Sequence, residues 1–165
     1  MESMLWKLLL DITAQLAQTE PRLPDASHIA TDGQDFAMVG ECDTCSEADA
    51  VWALGATISK LSSGHPVFGG KGKRYQQQHP HVQLPSLRQE HDALTPVVHA
   101  CMQATPQSRP SLRQLHDMAR QGYDRCLANE RIRAQQGEWF APAPKMSDLD
   151  SAEWPEAMTP TATNT

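Results

Sequence analysis

Glu47-Ala-Asp-Ala-Val-Trp-Ala-Leu-Gly-Ala-Thr-Ile-Ser-Lys-Leu61 is a segment whose apolar residues recur at helical spacing. Four of them share one face of the predicted helix: Val51, Leu54, Ile58 and Leu61. Trp52 widens the apolar surface, Ser46 is placed to cap the N-terminus, and Gly64 to end the helix. A helix that is apolar around most of its circumference is typical of a domain centre, so we expect this helix to be buried.

Length and charge restrict the classes of protein that fit the sequence. The chain has 165 residues, which predicts one compact domain, and a formal net charge of −6. An acidic chain is not expected to bind nucleic acid, which is usually contacted by a basic face. No apolar run has the length of about 20 residues that a membrane-spanning helix needs. The N-terminus has no basic leader, so we expect a cytoplasmic protein without a membrane partner.

Three further long helices are predicted around the central one, and the fold class is therefore mainly α. They span residues 3–19, 89–104 and 111–136. Asp92 is the predicted cap of the second, and Ser108 or Ser111 caps the third. A short helix is expected around Arg74–His79, within an otherwise extended polar segment.

One small β-hairpin is predicted between the first helix and the central helix. Its strands are expected at Ser27–Thr31 and Asp35–Val39. Asp32-Gly33 lies between them, and this pair predicts a tight turn in which both residues have positive φ.

Two stretches of this chain resemble the C-lobe of protein kinases. The first is Val51-Trp-Ala-Leu-Gly55, followed by Leu61 and Gly64-His-Pro-Val-Phe68; the second is Ala104-Thr-Pro-Gln-Ser-Arg-Pro-Ser111. The resemblance covers roughly residues 3–127 and implies a kinase-like C-lobe with a central buried helix and one hairpin. At 165 residues the chain is expected to be too short for a whole kinase, which also has an N-terminal lobe.

The resemblance implies that the catalytic positions of a kinase are degenerate here. Phosphoryl transfer uses one aspartate for the substrate hydroxyl, and an asparagine and a second aspartate for Mg²⁺. We match Ile29 to the start of the strand that follows the asparagine in kinases. Leu23 then stands at the position of the catalytic aspartate, His28 at that of the asparagine, and Gly40 at that of the magnesium-binding aspartate. Only Glu41–Ser46 stands where the activation segment belongs. We therefore expect no catalytic residue, cofactor or metal site, and a hydrogen-bonded structural role for His28.

Three residues of the matched motifs, Trp52, Gly55 and Arg109, are predicted to form the structural hub of the lobe. In kinases the arginine at the position of Arg109 is buried and paired with a glutamate that this chain lacks. A buried, unpaired guanidinium is costly. We therefore expect Arg109 to contact backbone carbonyls or a carboxylate near the start of the central helix. The candidate carboxylates are Glu41, Asp43, Glu47 and Asp49.

Two further clusters have open interpretations. Cys42 and Cys45 have the spacing of a metal or redox pair, but no second pair of ligands follows, and the alternative is a plain pair of loop cysteines. Gly69-Gly-Lys-Gly-Lys73 lacks the spacing of a phosphate-binding loop and is expected to be an ordinary loop. His79 and His81 are expected to be solvated.

The C-terminal tail differs in composition from the rest of the chain. Residues 1–136 are assigned to the helical domain, and residues 137–165 to a tail rich in Pro, Ala and acids that is expected to be mostly disordered. Its bulky aromatic residues are Trp139, Phe140 and Trp154. They are candidates for docking on a partner, and the alternatives are folding back on the domain or neither.

Three functions are compatible with these patterns. The first is a non-catalytic, pseudokinase-like binding or regulatory module that acts through a protein partner. The second is one subunit of a split serine/threonine kinase whose partner supplies the N-lobe. The third is an unrelated small helical adaptor. Under the first two, the surface that an N-lobe would cover is expected to be exposed and available to a partner or a second copy.

Overall fold

The computed structural model describes residues 2–40, 43–84 and 86–139, and these form a mainly helical protein with one two-stranded antiparallel sheet. The chain divides between Asn129 and Glu130, and the core described below belongs to the part before that division. The helices and strands are α1 Glu2–Gln18, β1 Ile29–Thr31, β2 Phe36–Met38, α2 Glu47–Ser63, α3 Gly72–Gln78, α4 Thr95–Cys101 and α5 Leu112–Trp139. Within these ranges no helix has the length and apolarity needed to cross a membrane.

The predicted central helix is confirmed as α2. The Oγ atom of Ser46 accepts a hydrogen bond from the N–H of Asp49, and Gly64 ends the helix with φ of 80°. Its fully buried apolar residues are Ala50, Val51, Leu54 and Ile58. Leu61, predicted on the same face, is 44 % exposed. The corresponding buried position in the last turn belongs to Ser62, whose Oγ lies 2.8 Å from Nδ1 of His91.

Helix α1 supplies the apolar layer next to α2 and also holds the hairpin. Its inward face consists of Leu5, Trp6, Leu8, Leu9, Ile12 and Leu16. On its other side, Gln15 accepts a hydrogen bond from the N–H of Met38 and donates one to the carbonyl oxygen of Phe36. Asp11 accepts from the N–H of Phe36. Two side chains of α1 therefore satisfy the backbone groups at the outer edge of β2, which another strand would otherwise satisfy.

The hairpin is confirmed, but its turn differs from the predicted one. Gly33 has φ of 96°, whereas Asp32 is not among the described residues with positive φ. Its carboxylate accepts hydrogen bonds from the N–H groups of Gln34 and Asp35. The aspartate thus builds the turn through its side chain, and the loop is longer than a two-residue turn.

The segment predicted as one helix from Gln89 is two elements. Residues Gln89–Leu94 form a 3₁₀ helix, and α4 continues to Cys101, short of the predicted end at Ala104. Asp92 does not cap α4, because the cap position is Leu94 and carries no side-chain bond. His91 has a non-helical backbone and a buried side chain, and it interrupts the regular helix at this point.

Helix α5 begins at a reciprocal cap that the sequence partly predicted. The N–H of Gln114 donates to Oγ of Ser111, and the N–H of Ser111 donates to Oε1 of Gln114. Glu47, from the first turn of α2, accepts a further hydrogen bond of 2.6 Å from the N–H of Leu112. This carboxylate therefore ties the start of α5 to the start of α2.

Candidate functional site

The structure places His28 and Gly40 side by side at the end of the hairpin. Gly40 has φ of 80°, and a Cβ atom built on it would lie 4.0 Å from Cδ2 of His28. The carbonyl oxygen of His28 accepts a hydrogen bond of 2.8 Å from the N–H of Val39. Leu23 has other neighbours, since its N–H donates to the carbonyl oxygen of Asp43 at 3.1 Å. His28 and Gly40 are thus neighbours. The kinase resemblance implies that these two positions would carry the ligands of Mg²⁺.

The His28 side chain differs from its expected role. Its Nδ1 atom is buried and has no hydrogen-bond partner in the protein, although the sequence predicted a hydrogen-bonded imidazole. Neither an imidazole nor a glycine supplies the carboxylate oxygens that Mg²⁺ prefers. In the part of the chain that the structure describes, no group of three or more His, Cys, Asp or Glu side chains is arranged to hold a metal ion.

The predicted contact between Arg109 and the start of the central helix is confirmed. Nη1 of Arg109 donates to the carbonyl oxygen of Ala48 at 2.8 Å and lies 3.6 Å from the carboxylate of Asp49. Nε and Nη2 donate to the carbonyl oxygens of Gln103 and Ala104. Because the Arg109 side chain is fully buried, these contacts replace the water that would otherwise solvate the guanidinium. The same residue thereby joins α2 to the segment between α4 and α5.

Charge at this junction is balanced by Asp49. Its carboxylate forms an ion pair with Lys73 of α3 and also faces Arg109. The hydrogen bond from Lys73 lowers the pKa of Asp49, with a smaller contribution from Arg109. Burial lowers the pKa of Arg109, and Asp49 opposes that effect. One carboxylate thus holds two cations at the N-terminus of α2, where negative charge is favoured by the helix dipole.

Trp52 connects α2 to two other parts of the fold. Its indole Nε1 donates a hydrogen bond of 2.7 Å to Oε1 of Gln76 in α3. The amide nitrogen of Gln76 donates in turn to the carbonyl oxygen of Met102, at the end of α4. Both side chains are buried, so the chain of bonds fixes the indole orientation and positions α3 against the core.

At Gly55, α2 packs closely against α4 and leaves no room for a side chain. A Cβ atom built on Gly55 would lie 2.8 Å from Cβ of Cys101 and 3.0 Å from Cγ of Met102. Real side-chain carbons do not approach so closely without displacing their neighbours. Trp52, Gly55 and Arg109 therefore each lie at a contact between α2 and a different part of the fold. Their role as the structural hub of a kinase-like lobe stays a prediction.

A groove of about 290 Å³ opens along the outer side of α2. We call it the α2 groove; its lining includes Leu23, Pro24, Trp52, Ala53, Ala56 and Val67. Lys60 and Asp25 line it as well, and their side chains lie 3.6 Å apart. The floor is apolar and the two charged residues are exposed, which is a surface suited to binding rather than to proton transfer.

The loop after α2 lines part of this groove and contains left-handed backbone. Phe68 has φ of 50° and is the only non-glycine residue of the described ranges with a positive value. Gly69 and Gly70 follow with φ of 63° and 85°. Consecutive left-handed residues favour glycine, which accounts for Gly69 and Gly70. The predicted ordinary loop is shorter than expected, because Gly72 and Lys73 already belong to α3.

The described residues include one member of the cysteine pair. Cys42 lies outside the described residues, and Cys45 is half-buried. Burial, with a smaller contribution from Asp49, raises the pKa of the Cys45 thiol. A raised pKa reduces the thiolate fraction at neutral pH and so slows thiol chemistry. A metal or redox role for the pair stays a prediction.

The tail candidates fall at the limit of the described chain. The backbone of Trp139 ends α5, while Phe140 and Trp154 lie outside the described residues. The composition boundary predicted at residue 137 lies within α5, and contacts divide the chain earlier, before Glu130. Docking by these aromatic residues stays a prediction.

Sequence reasoning missed the buried polar contacts that orient the hub. Gln76 belongs to a run of three glutamines, and nothing in that run distinguishes the buried one. Ser62 was assigned only to the helix end, yet it is buried and bonded to His91. In both cases the partner comes from a distant part of the chain, so no local pattern could have identified the pair.

Comparisons with known proteins add no relative to this description. The sequence matches no protein-family model, and no curated protein is significantly similar to it.

Proposed function

We propose that this protein is a non-catalytic binding or regulatory module with a kinase-like C-lobe, which acts through contacts with a protein partner. One observation carries the proposal. His28 and Gly40 are neighbours at the end of the hairpin, where the resemblance requires the two residues that hold Mg²⁺. Phosphoryl transfer depends on Mg²⁺ to neutralise the charge of the phosphate groups. His28 and Gly40 do not provide the ligands that would hold this Mg²⁺.

The kinase-like architecture itself is supported by the position of Arg109. The resemblance requires a buried arginine that anchors the last helix of the lobe near the central helix. Arg109 is buried and contacts Ala48 and Asp49 at the start of α2. A carbonyl and an aspartate thus take the place of the missing glutamate.

Binding is supported by apolar surface on the side that the resemblance assigns to an N-lobe. Leu23 is 39 % exposed and Val39 is 43 % exposed, and the α2 groove adjoins Leu23. Exposed apolar side chains of this kind favour a protein partner or self-association. A cytoplasmic location and the absence of nucleic-acid and membrane partners stay predictions.

A split serine/threonine kinase is the second candidate, and the same exposed residues favour it. Segments 23–27 and 39–45 would then form the contact with an N-lobe supplied by another chain. Copurification with a small β-rich protein would support this alternative. An unrelated helical adaptor is the third candidate, and it requires the kinase resemblance to be accidental.

Nucleotide binding distinguishes the first two candidates. Thermal unfolding of the full-length protein, alone and together with any proteins that copurify with it, would be followed with and without ATP and Mg²⁺. A non-catalytic module without magnesium ligands is expected to show no shift in Tm. A magnesium-dependent increase in Tm that His28→Ala abolishes, and that the exposed control Gln77→Ala retains, would contradict the proposal.

A further inference from the structure

The α2 groove is formed largely by a basic segment of an acidic protein. Between Ala50 and Gln89 the sequence contains three lysines and two arginines but no aspartate or glutamate, although the whole chain has a net charge of −6. Trp52, Ala53, Ala56 and Val67 of this segment line the groove. The lining itself holds one cation, Lys60, and one carboxylate, Asp25, so the excess of positive charge beside the groove comes from the exposed Lys71 and Arg74.

Among the residues that line the groove, Lys60 is the cation. Its side chain is 46 % exposed, and its contact with Asp25 spans 3.6 Å between two half-exposed groups. That distance exceeds a hydrogen bond, and exposed pairs of this kind contribute little. An incoming carboxylate can therefore contact Lys60 without displacing a strong interaction.

The cations near the groove differ in whether they are free to contact a ligand. Lys73 is already paired with Asp49. The ammonium of Lys71 lies 4.7 Å from the ring centre of Tyr75, and Arg74 is exposed on α3. Lys71, between the two glycines that border the groove, and Arg74, in α3, thus place two exposed cations beside the groove.

The size of the groove limits what can fill it. Its volume of about 290 Å³ lies just below the range of roughly 300–1,000 Å³ typical of sites that bury a whole small ligand. One bulky apolar side chain, in contact with Trp52 and Ala56, fits a groove of this size. Such a single anchor in an apolar pocket is the usual centre of a peptide-binding interface.

We propose that the α2 groove binds an acidic peptide segment of a partner protein. One bulky apolar side chain of that segment occupies the groove, and neighbouring carboxylates contact Lys60 and the exposed cations beyond Gly70. This inference rests on the proposed binding function and specifies the chemistry of the partner.

Fluorescence anisotropy of a labelled peptide tests this inference. The probe is a short peptide with four glutamates around one tryptophan, titrated with the full-length protein at low salt and at 0.5 M salt. Ala53→Glu places an acid inside the groove, and Lys60→Glu reverses the charge at its rim. Arg120→Glu makes the same kind of charge reversal at an exposed position of α5 and serves as the matched control. Circular dichroism and thermal unfolding establish that each variant is folded.

We expect the wild-type protein and Arg120→Glu to bind the probe, with weaker binding at high salt. Lys60→Glu is expected to weaken binding about tenfold, because a rim contact between charges becomes repulsive. Ala53→Glu is expected to abolish it, and so is replacing the tryptophan of the probe by glycine. Lys60 is half-exposed, so Lys60→Glu is expected to fold. This variant therefore still tests the inference if Ala53→Glu does not fold.

Several outcomes would overturn the inference. They are no binding by the wild-type protein, unchanged binding by Lys60→Glu, and equal binding of a probe whose glutamates are replaced by glutamines. A dimer in sedimentation that Ala53→Glu dissociates, without peptide binding, would assign the groove to a second copy instead. None of these outcomes concerns nucleotide binding, so failure here and failure of the proposed function are distinguishable.

Discussion

Arg109 reaches Ala48, 61 residues earlier in the chain, with a hydrogen bond of 2.8 Å from Nη1 to the carbonyl oxygen. The contact joins the start of the central helix to the loop before the last helix. It uses a backbone acceptor, and so it does not depend on the glutamate that kinases provide. The buried guanidinium is therefore satisfied by a backbone oxygen, with the carboxylate of Asp49 nearby.

Arg109→Ala should destabilise the fold strongly. It removes hydrogen bonds to three partly buried carbonyl groups and leaves Asp49 with one cation fewer. We expect a loss of about 3 kcal/mol in the free energy of unfolding, measured by urea denaturation. Arg109→Lys should recover only part of it, because an ammonium cannot reproduce the planar fork of donors. Arg113→Ala, at an exposed position, is the control; an equal effect of Arg113→Ala and Arg109→Ala would contradict the structure.

Gly122 packs directly against the indole ring of Trp6, and a Cβ atom at this position would overlap the ring. Gly122→Ala should therefore cost about 1–3 kcal/mol by overpacking, although alanine favours helices more than glycine does. In a Trp6→Leu background the same substitution should cost about 1 kcal/mol less, because the clash is removed. Additive effects of the two substitutions would show that the two residues are not in contact.

Gln15 stabilises the hairpin from α1, and its loss should be visible locally. Gln15→Ala removes the bonds to Phe36 and Met38 and should lower stability by about 1–2 kcal/mol. Amide hydrogen exchange at Met38 should accelerate, because its N–H then has no acceptor in the protein. Gln18→Ala lies at an exposed position of the same helix and should leave that exchange rate unchanged. If the amide of Met38 exchanges at the same rate in Gln15→Ala as in the wild type, Gln15 does not hold the hairpin through this hydrogen bond.

Acid sensitivity should depend on Asp49. Because its pKa is lowered in the folded state, the ionised form favours folding. That stabilisation is fully present above the ordinary carboxyl pKa of about 4, and it is lost as pH falls through the lower folded-state pKa. Between pH 5 and pH 2.5 the Tm of the wild type should therefore fall more steeply than that of Asp49→Asn. Asp124→Asn, at an exposed position, should retain the wild-type profile; parallel curves for wild type and Asp49→Asn would contradict the pKa direction.

The sequence predicted α1, α2 and α5 because their apolar residues repeat at helical spacing over several turns. It did not predict the turn at Asp32, because a carboxylate that accepts backbone hydrogen bonds replaces the positive φ that Asp-Gly usually signals. The interruption at His91 was also missed, since it depends on a hydrogen bond to Ser62 in another helix. The matched motif pointed to Arg109, whereas the α2 groove combines Trp52 and Ala56 with lining residues from the segment before the hairpin and the loop after α2, which no local pattern brings together.

The proposed absence of catalysis is tested most directly by phosphate transfer. Full-length protein, alone and together with any proteins that copurify with it, would be incubated with labelled ATP and Mg²⁺ and a general protein substrate. We predict no transfer above the level of the His28→Ala variant, because Leu23, His28 and Gly40 supply neither a catalytic carboxylate nor magnesium ligands. Magnesium-dependent transfer by the wild type that disappears in His28→Ala would contradict the account.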